Sequence, residues 1–402
     1  MIDGWPFTQT HDDCGLMQIW ERKLKKITSI SLFNTPVLDA SVKLAIEPGK
    51  NVLVLTGYNG SGKSRTLGVI LESLSLLRDE EYRVTSYDWI VELVFEGELK
   101  LRALKMNAHS SSPADIKNLI EKEFTGADTI EDAYNRVQDV VKEYKPSASF
   151  KSNSDKAERA FGCIALSSNS DKTIEEFGGE VEAVAFIDSE IHFNYKREVS
   201  EEVMNGNSGI NQTLFSLFYE LAVRQVKNPN VFDTVYSLLK EFEEKSGGRE
   251  DESAAREYVR EKIDPAILEN TLNAFESTEV FVELNKFFAL TNRKLKWTNK
   301  HAVMHLEDGQ EIPWIYFSRG EKTLLALFLI VHLYSSTAVF LFDEPDLSLH
   351  MEWQRMLIPS LTKLAPNSQF VISTHSPFMV MNTECEQVVN MANFSCVTSA
   401  RG

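Results

Sequence analysis

The sequence predicts an α/β chain whose sheet is largely parallel and flanked by helices, and two observations carry that prediction. Short apolar runs at Asn51 to Thr56, Ala338 to Phe342 and Gln369 to Ser373 each end on a polar cluster. That is the pattern of buried strands delivering polar groups at their carboxyl ends, where ligands of parallel sheets bind. A glycine-rich segment, Gly57 to Ser64, follows the first run directly and precedes helix-like residues from Thr66 to Leu77.

Composition bounds what such a chain can be. With 402 residues, 43% hydrophobic and 25% charged, it has room for one large domain or two smaller ones and excludes a disordered or fibrous class. A net charge of -17 argues against a surface that wraps nucleic acid, because Lys and Arg supply most of that affinity; a local basic groove stays open. Cys14, Cys163, Cys385 and Cys396 have no paired spacing, which fits a reducing, cytoplasmic setting and offers no zinc site. Met1 to Trp20 carries Asp3, Asp12 and Asp13 and does not resemble a secretory signal. Leu324 to Phe342 is almost long enough to span a bilayer, but Ser335-Ser336-Thr337 interrupts it and Asp343-Glu344-Pro345 closes it. It reads as a buried helix, a turn and a buried strand, with no membrane partner.

Along the chain, Ile27 to Ile46 reads as two strands, with Pro48-Gly49 turning into Asn51, and Tyr87 to Phe95 with Glu98 to Leu104 as a hairpin around Glu96-Gly97. After a break at His109 to Pro113, Ile130, Ala133, Tyr134, Val137, Val140, Val141 and Tyr144 recur at helical spacing behind a cap at Asp128. Pro146 to Lys156 is a polar linker and Val181 to Ile187 a strand. Leu214 to Phe242 holds one or two helices with a break at Asn228-Pro229-Asn230. The acidic stretch Glu241 to Glu261 is most simply a solvated helix-turn-helix.

The chemistry collects at the strand ends. Gly57-Tyr58-Asn59-Gly60-Ser61-Gly62-Lys63-Ser64 fits G-x-x-x-x-G-K-[ST], in which curled backbone N–H groups and a helix N-terminus hold phosphate, Lys63 neutralises it and Ser64 ligates Mg²⁺. Asn59 to Arg65 is the expected cofactor-binding segment. Asp343 and Glu344 end the second strand; adjacent carboxylates there point apart, so one can hold the metal while the other acts as a base. His375, after the third strand, can contact the γ-phosphate. Ser318 and Glu321 form an S-x-x-E capping box opening a buried helix, and with Gly320 that start is also a candidate anion site.

In this order the phosphate loop, Ser318-Arg319-Gly320-Glu321, Asp343-Glu344-Pro345 and Thr374-His375-Ser376-Pro377 resemble the ABC-type ATPases, over about residues 22–106 and 278–385. Asp343 to His350, followed by Trp353-Gln354, resembles more closely the branch that contains RecF-like proteins, the overcoming-lysogenization-defect nucleases and the stand-alone ATPase subunits of Septu-type, retron-associated and PARIS-type antiphage systems. The resemblance implies an ABC-type P-loop ATPase head, a mixed, mostly parallel sheet flanked by helices, with a mostly helical insertion. Its parts would be an N-terminal extension at 1–21, an N-terminal lobe with the Walker A loop at 22–106, the insertion at 107–277 and a C-terminal lobe at 278–402 carrying signature, Walker B and His-switch. ATP and Mg²⁺ are the implied cofactors. Two heads would sandwich ATP between Lys63 of one and Ser318 and Gly320 of the other, and loop Asp346 to His350 would cross the interface. Asp343 with Ser64 would hold the metal, Glu344 would activate water and His375 would sense the γ-phosphate. Arg319 departs from the family's usual Gly. Asp188-Ser189-Glu190 is the expected glutamine-loop equivalent, and Phe33 the expected adenine-stacking residue.

The helical patterns are too short for the coiled-coil arms of chromosome-maintenance ATPases. The sequence ends soon after Pro377, without room for the nuclease domain of the lysogenization-defect enzymes, so no nuclease activity of its own is expected. The implied function is the sensor and scaffold ATPase of a bacterial antiphage system, working as a homodimer or a ring of dimers and controlling a separately encoded effector, most plausibly a nuclease. The alternative is a RecF-like ATPase clamping DNA.

Overall fold

The computed structural model describes residues 25–33, 35–39, 41–77, 87–97, 99–108, 113–143, 159–167, 174–194, 209–226, 278–297, 302–380 and 386–395, with isolated positions between 237 and 276. The expected extension at 1–21, the linker at 146–156, the break at 228–230, Cys14, Cys385, Cys396 and most of the acidic stretch 241–261 lie outside the described residues.

Two large sheets enclose one helix. The first is antiparallel, in the order β2 (Ser41–Ala45), β1 (Ile27–Phe33), β4 (Trp89–Phe95), β5 (Leu99–Ala108), β6 (Arg159–Ser167). The second has six strands, in the order β14 (Glu386–Asn390), β3 (Val52–Thr56), β13 (Gln369–Ser373), β12 (Val339–Asp343), β7 (Ala183–Ile187), β8 (Glu190–Phe193). All its neighbours pair in parallel except β7 with β8. Between the sheets runs α1 (Lys63–Leu76), apolar around its circumference and buried from Thr66 to Ser75, as a helix sandwiched by two sheets must be. Glu72, 1% exposed, is the charged residue of that buried stretch, and its carboxylate accepts from Lys105 Nζ at 2.7 Å and from the Trp89 indole N–H. Pairing of this kind is what lets a buried charge persist.

On the outer face of the parallel sheet lie α5 (Ile210–Val226), α6 (Glu279–Ala289), α7 (Arg319–Leu333) and α8 (Met351–Leu364), sharing a core with Phe340, Phe342 and Phe370. On the outer face of the antiparallel sheet lie α2 (Pro113–Thr125) and α3 (Ile130–Glu143), packed on Ile90 and Leu104. Trp89 and Ile90 serve opposite faces because strand side chains alternate. A short α4 (Ile174–Glu180) precedes β7, and a small sheet of β9 (Lys294–Trp297), β10 (Ala302–His305) and β11 (Glu311–Pro313) precedes α7. No described helix is long and apolar enough to cross a membrane.

One expectation changes: the helix at 130 is capped one residue later than Asp128, with Thr129 Oγ1 accepting from the Asp132 N–H at 3.1 Å. The stretch 107–277, in which helices predominate among the described residues, also supplies strands to both large sheets. β6 extends the antiparallel sheet, while β7, the strand expected at Val181 to Ile187, pairs with β12 in the centre of the parallel one. Those partners are far away in sequence, so no local pattern announces the pairing.

Candidate nucleotide site

Strand register assembles the site. Leu55 of β3, Ser373 of β13 and Asp343 of β12 lie side by side in one row, so the residues just beyond them emerge together at one edge of the sheet. That edge receives the phosphate loop, Glu344 and His375, as the three polar strand ends suggested.

The loop from Gly57 to Gly62 curls over the start of α1. Gly62 takes φ 92°, and a side chain there would meet Leu38 Cδ2 at 2.5 Å, so only glycine fits both the backbone and the space. No side chain caps α1, so its first N–H groups have no side-chain cap to satisfy them. Ser61 Oγ is fully buried and unpartnered among the described residues, a hydroxyl suited to an oxyanion. Lys63 Nζ donates to Gly57 O at 3.1 Å and Tyr58 O at 3.3 Å, and lies 2.8 Å from His375 Nε2. Burial lowers the lysine pKa, while Glu344 and Asp343 nearby oppose that shift. The segment's ends differ in role. Asn59 and Gly60 are exposed at the loop crest, whereas Arg65 Nη1 donates to Pro36 O at 2.8 Å and its guanidinium lies 5.0 Å from the Tyr87 ring centroid.

Ser64 Oγ donates to Asp343 Oδ1 at 3.0 Å, and Ser373 Oγ donates to the same oxygen. Burial raises the Asp343 carboxyl above its ordinary range, with Glu344 and Asp188 adding to the shift and the two serine hydrogen bonds opposing it. A buried carboxylate repelled by two others and aligned with a serine hydroxyl is a good half-site for a hard divalent cation. Glu344 follows at φ 45°, an unfavourable backbone for a non-glycine residue, held there by its N–H donating to Ser373 O at 3.2 Å and Ser373 Oγ at 3.0 Å. Its Oε1 then lies 3.2 Å from His375 Nε2, so Lys63, His375 and Glu344 form one chain of contacts.

Sequence reasoning had quoted Ser373 and Gln354 without assigning them roles. Ser373 holds the Asp343 carboxylate and the backbone N–H of Glu344. Gln354 staples two loops, with Nε2 donating to Asp346 O at 3.1 Å and Leu349 O at 3.0 Å while Oε1 accepts from Ser376 Oγ at 2.7 Å. Only the fold, which brings α8 beside the Thr374 to Pro377 turn, makes either role visible.

The signature segment opens α7. Ser318 Oγ accepts from Glu321 N at 3.3 Å, and Ser318 N donates to Glu321 Oε2 at 2.7 Å, completing the capping box; Glu321 Oε1 pairs with Arg293. Glu321 is thus buried with both oxygens engaged, and it holds the helix start rather than offering a ligand contact. Gly320 lies so close to the Asp346 to His350 loop that a Cβ would be 2.3 Å from Ser348 O. Asp188 and Ser189 form a two-residue turn at φ 52° and 68° between β7 and β8, and share with Arg319, Asp343 and Glu344 a cavity of about 90 Å³. Phe33 packs against Tyr134 of α3, centroids 5.2 Å apart, beside a second cavity of about 270 Å³ that Pro36, Asp88 and Gln138 also line.

The family described as "AAA ATPase domain" matches residues 26–380. The chain is 24% identical over 372 residues to the "Retron Vc95 probable ATPase" of Vibrio cholerae serotype O1 biovar El Tor, a match covering 84% of this chain and 68% of that protein. It is 34% identical over 91 residues to the "Retron Ec83 probable ATPase" of Escherichia coli, covering 20% of this chain and 17% of that one. Among solved structures it is similar to the SMC head domain from Thermotoga maritima, with TM-score 0.40, 12% identity and coverage of 91% and 96% of the two chains.

Proposed function

The chain belongs to the AAA ATPase domain family, and we propose that it binds ATP with Mg²⁺ in the phosphate loop, pairs with a second copy around the nucleotide, and hydrolyses ATP to control a separately encoded effector, most plausibly a nuclease, in a retron-type defence system. The reading rests chiefly on one observation: Lys63, Ser64, Asp343, Glu344 and His375 meet at a single edge although they lie at or beyond the ends of three strands distant in sequence.

Magnesium would be held by Ser64 Oγ and Asp343 and would supply charge neutralisation at the β and γ phosphates. Uncapped N–H groups of α1, Lys63 and the Ser61 hydroxyl bind the triphosphate, and Phe33 stacks on the adenine. Glu344 accepts a proton from water as its oxygen bonds to the γ-phosphorus, and the bond from that phosphorus to the bridging oxygen breaks, leaving ADP and phosphate. His375, between Lys63 and Glu344, reports the γ-phosphate to both. The resemblance to retron ATPases supports the defence setting, and exposed Leu347, 70% accessible in the Asp346 to His350 loop, suits an interface with a second copy.

The test is Glu344→Gln. Wild type should turn over ATP only with Mg²⁺, whereas the variant should lose about 10²–10⁴-fold in kcat, the range for a general base, while retaining ATP and accumulating the paired form on size exclusion. Hydrolysis by the variant at the wild-type rate removes Glu344 from this role.

A further inference from the structure

Arg319 stands where the resemblance implies Gly, and its setting is unusual on physical grounds. It is the first residue of α7, where the positive end of the helix dipole disfavours a cation. Its side chain is exposed and, among the described residues, held by no ion pair. Neighbouring cations are committed, Arg293 to Glu321 and Lys322 to Ile315 O at 2.7 Å. Helix stability therefore does not explain an arginine here.

The acceptors lie across the 90 Å³ cavity, which has room for about three waters. Asp188, Asp343 and Glu344 of the same chain line it with Arg319. The helix start cannot easily withdraw, because Gly320 is seated against the carbonyl of Ser348. Three carboxylate residues and the exposed Arg319 thus line one cavity within a single head, while Lys63, the other cation near Asp343 and Glu344, is engaged by Gly57 O, Tyr58 O and His375.

We infer that Arg319 is an internal counter-ion for the Walker B carboxylates of its own head and competes there with the divalent cation. The inference rests on the ATPase reading and adds a control of metal loading. With no metal bound, the guanidinium compensates Asp343, Glu344 and Asp188 through space. A cation arriving at Ser64 and Asp343 has to displace that compensation, which weakens metal binding.

Mn²⁺ affinity of the full chain, measured by electron paramagnetic resonance with saturating ADP and no turnover, tests this in wild type, Arg319→Ala and Arg319→Lys. Arg319→Ala should bind Mn²⁺ about three- to tenfold more tightly than wild type, as expected when a nearby positive charge is removed, with Arg319→Lys between them. Equal affinity in all three, or weaker binding in Arg319→Ala, overturns the inference. Circular dichroism verifies that each variant is folded, and Arg319→Lys preserves the comparison should the alanine variant misfold. A fluorescent ATP analogue in EDTA separates the two levels. A wild type that takes up no nucleotide defeats the ATPase reading itself, whereas nucleotide uptake with unchanged Mn²⁺ affinity defeats the counter-ion alone.

Discussion

The two helix starts at the site, α1 and α7, are built in opposite ways. α1 begins on a left-handed glycine with no side-chain cap and, beside it, a fully buried Ser61 hydroxyl that has no partner among the described residues. α7 begins on a complete capping box in which Ser318 and Glu321 satisfy each other and Arg293 takes the remaining carboxylate oxygen. Both could hold an anion by dipole and geometry. Their difference teaches that a helix N-terminus binds phosphate to the extent that its own sequence leaves N–H groups unsatisfied. The sequence reading treated capping and phosphate binding at Ser318 as compatible, and the structure narrows this: only the Ser318 hydroxyl proton and the N–H groups of Arg319 and Gly320 are left outside the box. On the proposed reading, one head would hold the triphosphate at α1, and α7 would suit a lighter contact from a second copy.

The contrast can be broken in four places. Lys63→Ala should have the largest effect, a loss of about 100-fold or more in ATP affinity by calorimetry, since it removes a charge-assisted donor from the uncapped start. Gly320→Ala should come next. Its new methyl would strike the Ser348 carbonyl, costing about 1–3 kcal/mol of stability by thermal melting and abolishing ATP-dependent pairing. Ser318→Ala should cost about 1 kcal/mol through the lost cap and leave ATP affinity of the unpaired head unchanged. A fall in affinity matching that of Lys63→Ala would mean the two starts are not distinct.

Asp343→Asn should have the smallest effect on stability and a favourable one. Folding raises the Asp343 carboxyl above its unfolded value near 3.8, so the folded chain holds that proton more tightly. Stability contributed by this group is greatest below pH 3.8, falls as pH rises through the raised value, and is flat beyond it. Removing the charge should raise the neutral-pH melting midpoint slightly while Mg²⁺-dependent hydrolysis is lost. A lower midpoint would mean that the serine hydrogen bonds outweigh burial and repulsion.

Much of this was legible in the residues. The three strands, the phosphate loop and the capping box are local patterns, each readable because alternation, glycine spacing or a four-residue cap encodes its own geometry. The reading stopped where the signal is not local. β7 is the strand expected at Val181 to Ile187, but its place in the sheet, like that of β6, depends on partners such as β12 and β5 elsewhere in the chain. Glu321 looked like a ligand residue because its sequence context resembles a signature, but Arg293, brought alongside by the turn after α6, engages it.

Taken alone, then, the amino-acid order determined which groups could do chemistry here: a lysine and a serine after a glycine loop, two carboxylates after one buried run and a histidine after another. Tertiary structure decided which of them meet. It set Leu55, Ser373 and Asp343 in one register row, bonded Ser373 to the Asp343 carboxylate and the Glu344 N–H, and brought Arg319 to the cavity that Asp188, Asp343 and Glu344 line. The physical reason is range. Propensity and capping act over a few residues, whereas strand pairing and charge across a cavity depend on distance in space, which no spacing along the chain records.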